Sequence, residues 1–201
     1  MASAFGQAFQ FLPGVKGPDG FILTQPFLDV CRQVLPVVDK LGTAFGLVKT
    51  DIGGNIERLS QRAAKDPERY TRLFTIVQDE VVENCQNDSS SCTKGLLWLK
   101  RAMEFVCAIL RRLHDDPDTP LGTVVSETYS ATLMQFHGFF ASSAFSLAFK
   151  FVPSREQFLS KVGEGATVMI EMKLLVDSFS EVLAEIHKFM EEQGLNDPTK
   201  V

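Results

Sequence analysis

The chain has 201 residues, 45% hydrophobic and 22% charged, which suits one domain with a sizeable core and excludes disorder. Lys plus Arg number 20 against 25 Asp plus Glu, a net charge of −5, so the basic footprint of a nucleic-acid binder is missing. The aromatic residues are 17 Phe, two Tyr and one Trp, an apolar set with few hydroxyl handles. The start MASAFGQAF has neither the basic flank nor the apolar stretch of a secretory signal. No uncharged apolar run reaches the length of about 18 residues that marks a membrane span; the longest candidate, Gly138 to Phe149, stops at Lys150. Cys31, Cys85, Cys92 and Cys107 show no CxxC spacing, so reduced thiols and a soluble cytosolic protein are expected.

In chain order, the Gly17-Pro18-Asp19-Gly20 turn precedes a helix with Thr24 as cap, Pro26 in its first turn, and Leu28, Val30, Leu35 and Val38 inside. Gly42 ends it. A second helix is predicted from Ala44 to Ala64, and a third follows Asp66-Pro67 through Leu73, Ile76 and Val81 to the polar loop Gln86 to Ser91. Thr93 to Leu113 is a long helix closed by Asp115-Asp116-Pro117, with Leu97, Leu99, Met103, Val106 and Leu110 inside and Lys100, Glu104 and Arg111 outside. Further helices are predicted at Val124 to Phe136, Phe140 to Phe149, Ser154 to Val162 and Ala166 to Glu192. There is no hairpin signal or internal repeat, so residues 1–201 read as a single all-α domain of seven to nine helices.

On the second helix, Phe45, Val48, Ile52, Ile56 and Leu59 share one apolar stripe, and Asp51, Asn55 and Arg58 form a polar stripe at its border. An acceptor, an amide and a fixed cation in line suit a ligand rich in hydroxyls, although spacing alone does not separate this from a solvated helix edge. Gly53-Gly54 within that helix calls for a reason such as close approach of another helix. Trp98 falls at the edge of an apolar arc, with Arg101 further round, placed either to fill the core or to stack on a sugar. His137 opens His137-Gly138-Phe139-Phe140; a neutral imidazole there can donate to a carbonyl or simply be a satisfied core histidine. None of the three histidines has metal-ligand spacing with another His or a Cys, and no GxSxG, HExxH or catalytic-Cys signature is present.

Four ordered motifs carry a resemblance: Val48 to Ile56 (VKTDIGGNI), Leu97-Trp98-Leu99-Lys100-Arg101, His137-Gly138-Phe139, and the terminal Lys200-Val201. In order and separation they resemble the glycolipid transfer protein family over most of the chain. The resemblance implies a two-layer helical sandwich of about eight helices that carries one glycosphingolipid between membranes, without cofactor, metal or catalytic residue. The cargo implied is a glucosyl-, galactosyl- or lactosylceramide, handled by a monomer in transient contact with membrane surfaces. By matching position, Asp51, Asn55, Arg58 and Trp98 would bind the headgroup, and His137 and Asp51 the ceramide amide. Val38, Phe45, Val48, Leu133 and Phe145 would line the acyl-chain pocket, and Phe139 with Phe140 would dock on the membrane.

Phe139 stands where well-known animal members have Trp, Thr199 where they have Tyr, Arg58 where the family has Lys, and Lys94 where the animal form is apolar. The family's ceramide-1-phosphate branch has a Lys at the position of Asn55 and an Arg at that of Trp98, because a phosphate needs fixed cations. Neutral glycosyl headgroups are therefore expected. Two other readings are a lipid-gated sensor or adaptor and, more remotely, a hydrolase using Cys92 or Cys107 with a His.

Overall fold

A computed structural model describes residues 3–163 and 166–200. Met1 and Ala2 of the start segment and the terminal Val201 lie outside that range. The described residues form nine α-helices: α1 (Ala4–Phe9), α2 (Thr24–Lys40), α3 (Gly46–Lys65), α4 (Leu73–Val82), α5 (Cys92–Asp115), α6 (Leu121–Ala131), α7 (Phe139–Ala148), α8 (Arg155–Val162) and α9 (Ala166–Glu192). Five short 3-10 turns join them, and the only β-pairing among the described residues is two isolated bridges, Lys16 to Ile22 and Leu23 to Arg72.

Several helix ends depart from expectation for local reasons. Leu23 rather than Thr24 holds the extended N-cap position of α2, and the Thr24 hydroxyl donates to the Tyr70 carbonyl at 2.6 Å. The residues after Asp66-Pro67 tighten into a 3-10 turn, Arg69–Thr71, so α4 starts only at Leu73. The predicted Val124 to Phe136 helix breaks at Thr132 (φ −119°, ψ −74°), whose hydroxyl donates to the Thr128 carbonyl at 2.8 Å. A 3-10 turn, Met134–Phe136, follows. One helix was not anticipated. α1 is too short to show a period, but Ser3 caps it and Phe5 and Ala8 seal against the core.

α5 lies at the centre, with α3 on one side, α9 on the other and α4 and α6 on its flanks. α2 packs on α3 and on α1, and α1 returns to α9, giving the two layers. Phe27 of α2 meets Phe179 of α9 across the core at 6.2 Å between ring centroids. Because α5 is covered on both sides, Lys100 is not on an outer face as its position predicted; it is 3% exposed. Its ammonium reaches Glu104 at 3.0 Å and His187 Nδ1 at 2.7 Å, which makes burial tolerable. Gly53 and Gly54 also depart from expectation: a Cβ at either would meet nothing within 4 Å. The glycine that accommodates a neighbour is Gly95 of α5, where a Cβ would lie 3.1 Å from Arg58 Cδ and 3.6 Å from Asn55 Oδ1.

The start of α5 is held by Glu80 of α4. Its buried carboxylate accepts from the Cys92 and Thr93 amides and the Thr93 hydroxyl, each at 2.7 Å. Three charge-assisted bonds at a helix N-terminus are a strong cap. Glu80→Ala is expected to lower unfolding stability by about 2–3 kcal/mol in urea titration, and Glu80→Gln by less.

Candidate functional site

α3, α5, the 3-10 turn after α6 and α7 enclose a cleft of about 390 Å³ lined by Leu47, Val48, Asp51, Trp98, Ala102, Leu133, His137 and Phe145. Six of the residues singled out in the sequence therefore meet on one surface: Asp51, Trp98, His137, Val48, Leu133 and Phe145. Beside it, Phe45, Leu47, Val48, Ala144, Phe145, Ala148 and Phe149 border a crevice of about 10 Å³, room for roughly one water. Phe45 and Phe149 are 6.2 Å apart across this crevice, and Phe145 and Phe149 are 5.9 Å apart.

Asp51 is exposed at the rim, yet the surrounding protein desolvates its carboxyl and raises its pKa above the ordinary 3.8, against the opposing pull of the Asn55 amide and the Arg58 charge. Asn55, 6% exposed, lies behind the rim against Gly95. Arg58 does not line the cleft. Its stem crosses Gly95, and its Nη1 donates to the carbonyls of Ser91 at 3.0 Å and Ser89 at 3.3 Å. Asp51, Asn55 and Arg58 thus form a connected row, with only the first on the cleft wall.

Trp98 is half-buried and lies near-parallel to His137, with centroids 5.8 Å apart and planes 21° apart. Behind the indole, the buried Arg101 guanidinium sits 5.1 Å from its ring and 3.5 Å from that of Phe136, and donates to Asn196 Oδ1 and the Asp197 carbonyl. Arg101 is buried, where its helix position pointed to a wetter side. The C-terminal segment, including Thr199, whose amide donates to Asp197 Oδ1 at 2.9 Å, folds back beside the site. His137 is 9% exposed, and burial pushes its imidazole pKa below 6.5. Its Nδ1 is 2.9 Å from the Tyr129 hydroxyl.

Val38 is fully buried on α2 and borders neither cavity. Phe139 and Phe140 are 80% and 87% exposed at the start of α7, a helix of which no described residue is buried. Leu47 of α3, Met134 of the turn after α6, Leu147 of α7 and Phe151 of the turn that follows it are also exposed. Sequence reasoning missed Leu47, Ala102, Tyr129 and Phe149. Leu47 and Ala102 carry no chemical signature, and Phe149 is one of many phenylalanines. Tyr129, one of only two tyrosines, was the detectable one.

All four cysteines are free thiols. Desolvation pushes Cys92 and Cys107 up to about 12, which leaves both protonated and poor nucleophiles at neutral pH. Among the described residues no group of three or more His, Cys, Asp or Glu is placed to hold a metal ion, and no helix is long and apolar enough to cross a membrane.

The sequence profile of the family described as Glycolipid transfer protein (GLTP) matches residues 22–164. The chain belongs to the glycolipid transfer protein family. It is 38% identical over 195 residues to Glycolipid transfer protein 1 of Arabidopsis thaliana, covering 97% of this chain and 96% of that protein. Among solved structures, one of FAPP2, concerned with how that protein selects simple glycosphingolipids using the GLTP-fold, superposes with a TM-score of 0.90 at 29% identity, covering 100% of both chains. Mouse ceramide-1-phosphate transfer protein in its apo form superposes with a TM-score of 0.87 at 21% identity over 96% of this chain and 98% of that one, which shows a shared fold. The GLTP fold is thus the all-helical architecture described above, and lipid transfer is the business of the family.

The raised Asp51 pKa has a consequence for stability. A carboxyl whose folded pKa lies above its unfolded value opposes folding when ionised, fully above the folded pKa and not at all below about 3.8. Asp51→Asn is expected to raise the thermal midpoint at pH 7, with the difference from wild type shrinking as pH falls towards 3.8 in parallel melts.

Proposed function

We propose that the chain, acting as a single domain over residues 1–201, is a monomeric cytosolic carrier that takes one simple neutral glycosphingolipid from a membrane and releases it into another. The cargo is a glucosyl-, galactosyl- or lactosylceramide, and no bond is made or broken. The observation that carries this reading is the meeting of one carboxylate, one indole and one imidazole on a cleft whose remaining lining is apolar.

Each group has a role its chemistry suits. The indole of Trp98 is a platform for the flat face of a sugar ring. Asp51 accepts from sugar hydroxyls and from the ceramide amide N–H, and His137 donates to the amide carbonyl. Asn55 supports Asp51 and reaches the same sugar. Arg58 spends Nη1 on the loop carbonyls behind the cleft and serves the headgroup indirectly, by holding Asn55 and Asp51 in their row. The acyl chains enter where Phe45, Val48, Phe145 and Phe149 now nearly close a crevice. The 390 Å³ cleft is near the lower end of the range of about 300–1,000 Å³ for drug-sized ligands, so the chains require these rings to swing apart.

Ceramide-1-phosphate fits less well. The cleft lining holds Asp51 and no Lys or Arg, and an ionised carboxylate repels a phosphate that nothing there neutralises.

The energetics divide in the same way. A ceramide hides roughly 30 methylenes at about 0.8 kcal/mol each, so its bare desorption into water would cost more than about 20 kcal/mol. Membrane and pocket are both apolar, so that term largely cancels in the transfer equilibrium. Headgroup bonds of about 1–3 kcal/mol each are left to select the lipid.

In vesicle-to-vesicle assays the protein is expected to move labelled glucosyl- or galactosylceramide in preference to labelled ceramide-1-phosphate; preference for the phosphate lipid overturns the reading. Asp51→Val and Trp98→Ala should each cut glycolipid transfer by about 10–100-fold while far-UV circular dichroism stays helical. Replacing Phe139 and Phe140 together by Ser should slow transfer about tenfold or more by weakening membrane contact, with binding of a dispersed short-chain glucosylceramide unchanged.

A further inference from the structure

Tyr129 packs its ring among three phenylalanines and beside His137. Its ring stacks on Phe145 at 5.0 Å and 10°, and meets Phe149 and Phe105 edge-on at 5.2 and 6.2 Å. A Phe would fill the same space, so packing accounts for the ring and leaves the oxygen unexplained. The hydroxyl lies 2.9 Å from His137 Nδ1 and beside the Ser142 side chain. The Ser142 hydroxyl donates to the Gly138 carbonyl at 2.8 Å, so towards the phenol it can only accept.

Two proton arrangements satisfy the phenol, and only one of them presents a donor to the cleft. If Nδ1–H donated to Tyr129, the phenolic hydrogen would turn to Ser142 Oγ, and Nε2, left without a hydrogen, could not donate into the cleft. A neutral imidazole that donates into the cleft carries its hydrogen on Nε2, and this requires the phenol to donate to Nδ1 across the 2.9 Å contact. Nε2 has no partner among the described side chains, and it is not one of the sealed, unpartnered atoms of the interior. The ring itself is held between Trp98 and Phe145, at 5.8 and 5.0 Å.

We propose that Tyr129 is a positioning residue that fixes His137 as the Nε2–H tautomer and so presents a ready-made donor to an amide carbonyl in the cleft. This rests on the glycosphingolipid reading above. Because the hydrogen is already placed, the ring neither rotates nor changes tautomer when the lipid enters.

The test combines a spectrum with a binding cycle. In long-range proton–nitrogen spectra of protein labelled with nitrogen-15 at histidine, His137 of the wild type is expected to show the Nε2–H pattern before any lipid is added. An Nδ1–H pattern overturns the proposal, whether or not any variant folds. Tyr129→Phe should mix the two tautomers and weaken glucosylceramide binding, measured by partition from phosphatidylcholine vesicles, about five- to tenfold with helicity retained. In a His137→Leu background the same substitution should have no further effect. A loss that persists there means the hydroxyl acts only on packing and overturns the proposal. Wild type that binds glucosylceramide together with a Tyr129→Phe variant that binds it equally well overturns the proposal alone. Wild type that binds no glucosylceramide overturns the functional reading and the proposal with it.

Discussion

The approach of α3 to α5 at Gly95 is the contact on which the rest of the site depends. Asp51 and Trp98 sit on different helices and share a cleft only because those helices lie close along one line. A methyl group at position 95 would press on Arg58 Cδ at 3.1 Å and stand 3.6 Å from Asn55 Oδ1, closer in the first case than side chains ordinarily tolerate. With that space free, the Arg58 stem lies across α5, its guanidinium grips the loop carbonyls ahead of Ser91, and Asn55 is held behind Asp51. The same loop supplies the Ser91 cap of α5, and Glu80 braces the first amides of that helix from the far side. The helix that carries Trp98 is therefore fixed at its start by the elements that fix the polar row.

Polar groups in this molecule fall into two kinds. Glu80, Lys100 and Arg101 are buried and bonded to neighbours: Glu80 caps α5, Lys100 joins α5 to His187 of α9, and Arg101 ties α5 to the C-terminal segment. Asp51 and Trp98 are left partly open on the cleft, and Asp51 is destabilised by its surroundings. Removing water from a carboxylate without fully replacing its hydrogen bonds works against folding, and such groups gather where a ligand completes the set. The strain therefore falls on the groups that the proposed function uses.

Most of the helices were legible in the sequence because long amphipathic segments with clear punctuation leave little choice, as α5 and α9 show. The misses have local causes. α1 spans too few residues to display a period, and the break at Thr132 is a local turn of its backbone dihedrals with no Gly or Pro in the sequence to announce it. The site was legible as residue types in order. What spacing could not supply was which of them share a wall: Val38 lies in the core, and Arg58 faces the loop behind the cleft. Lys100 and Arg101 were misjudged because a central helix has no outer face. Periodicity reports one apolar arc and does not count the layers packed around it.

α7 completes the argument about the phenylalanines. Of its residues none is buried, yet its sequence, FFASSAFSLA, is predominantly apolar, so in water it leaves Phe139, Phe140 and Leu147 uncovered. A helix in that condition lowers its free energy when an apolar phase covers it, and on the proposed reading the bilayer supplies that phase. The same helix carries Phe145, which stands at once on the cleft wall, on Tyr129 and on the nearly closed crevice. On the proposed reading, membrane contact on the exposed side of α7 and chain entry beside Phe145 both act on one short element. Phenylalanine suits both faces: its ring is apolar throughout, asks for no hydrogen-bond partner, and can turn aside for an acyl chain without leaving a polar group unpaired.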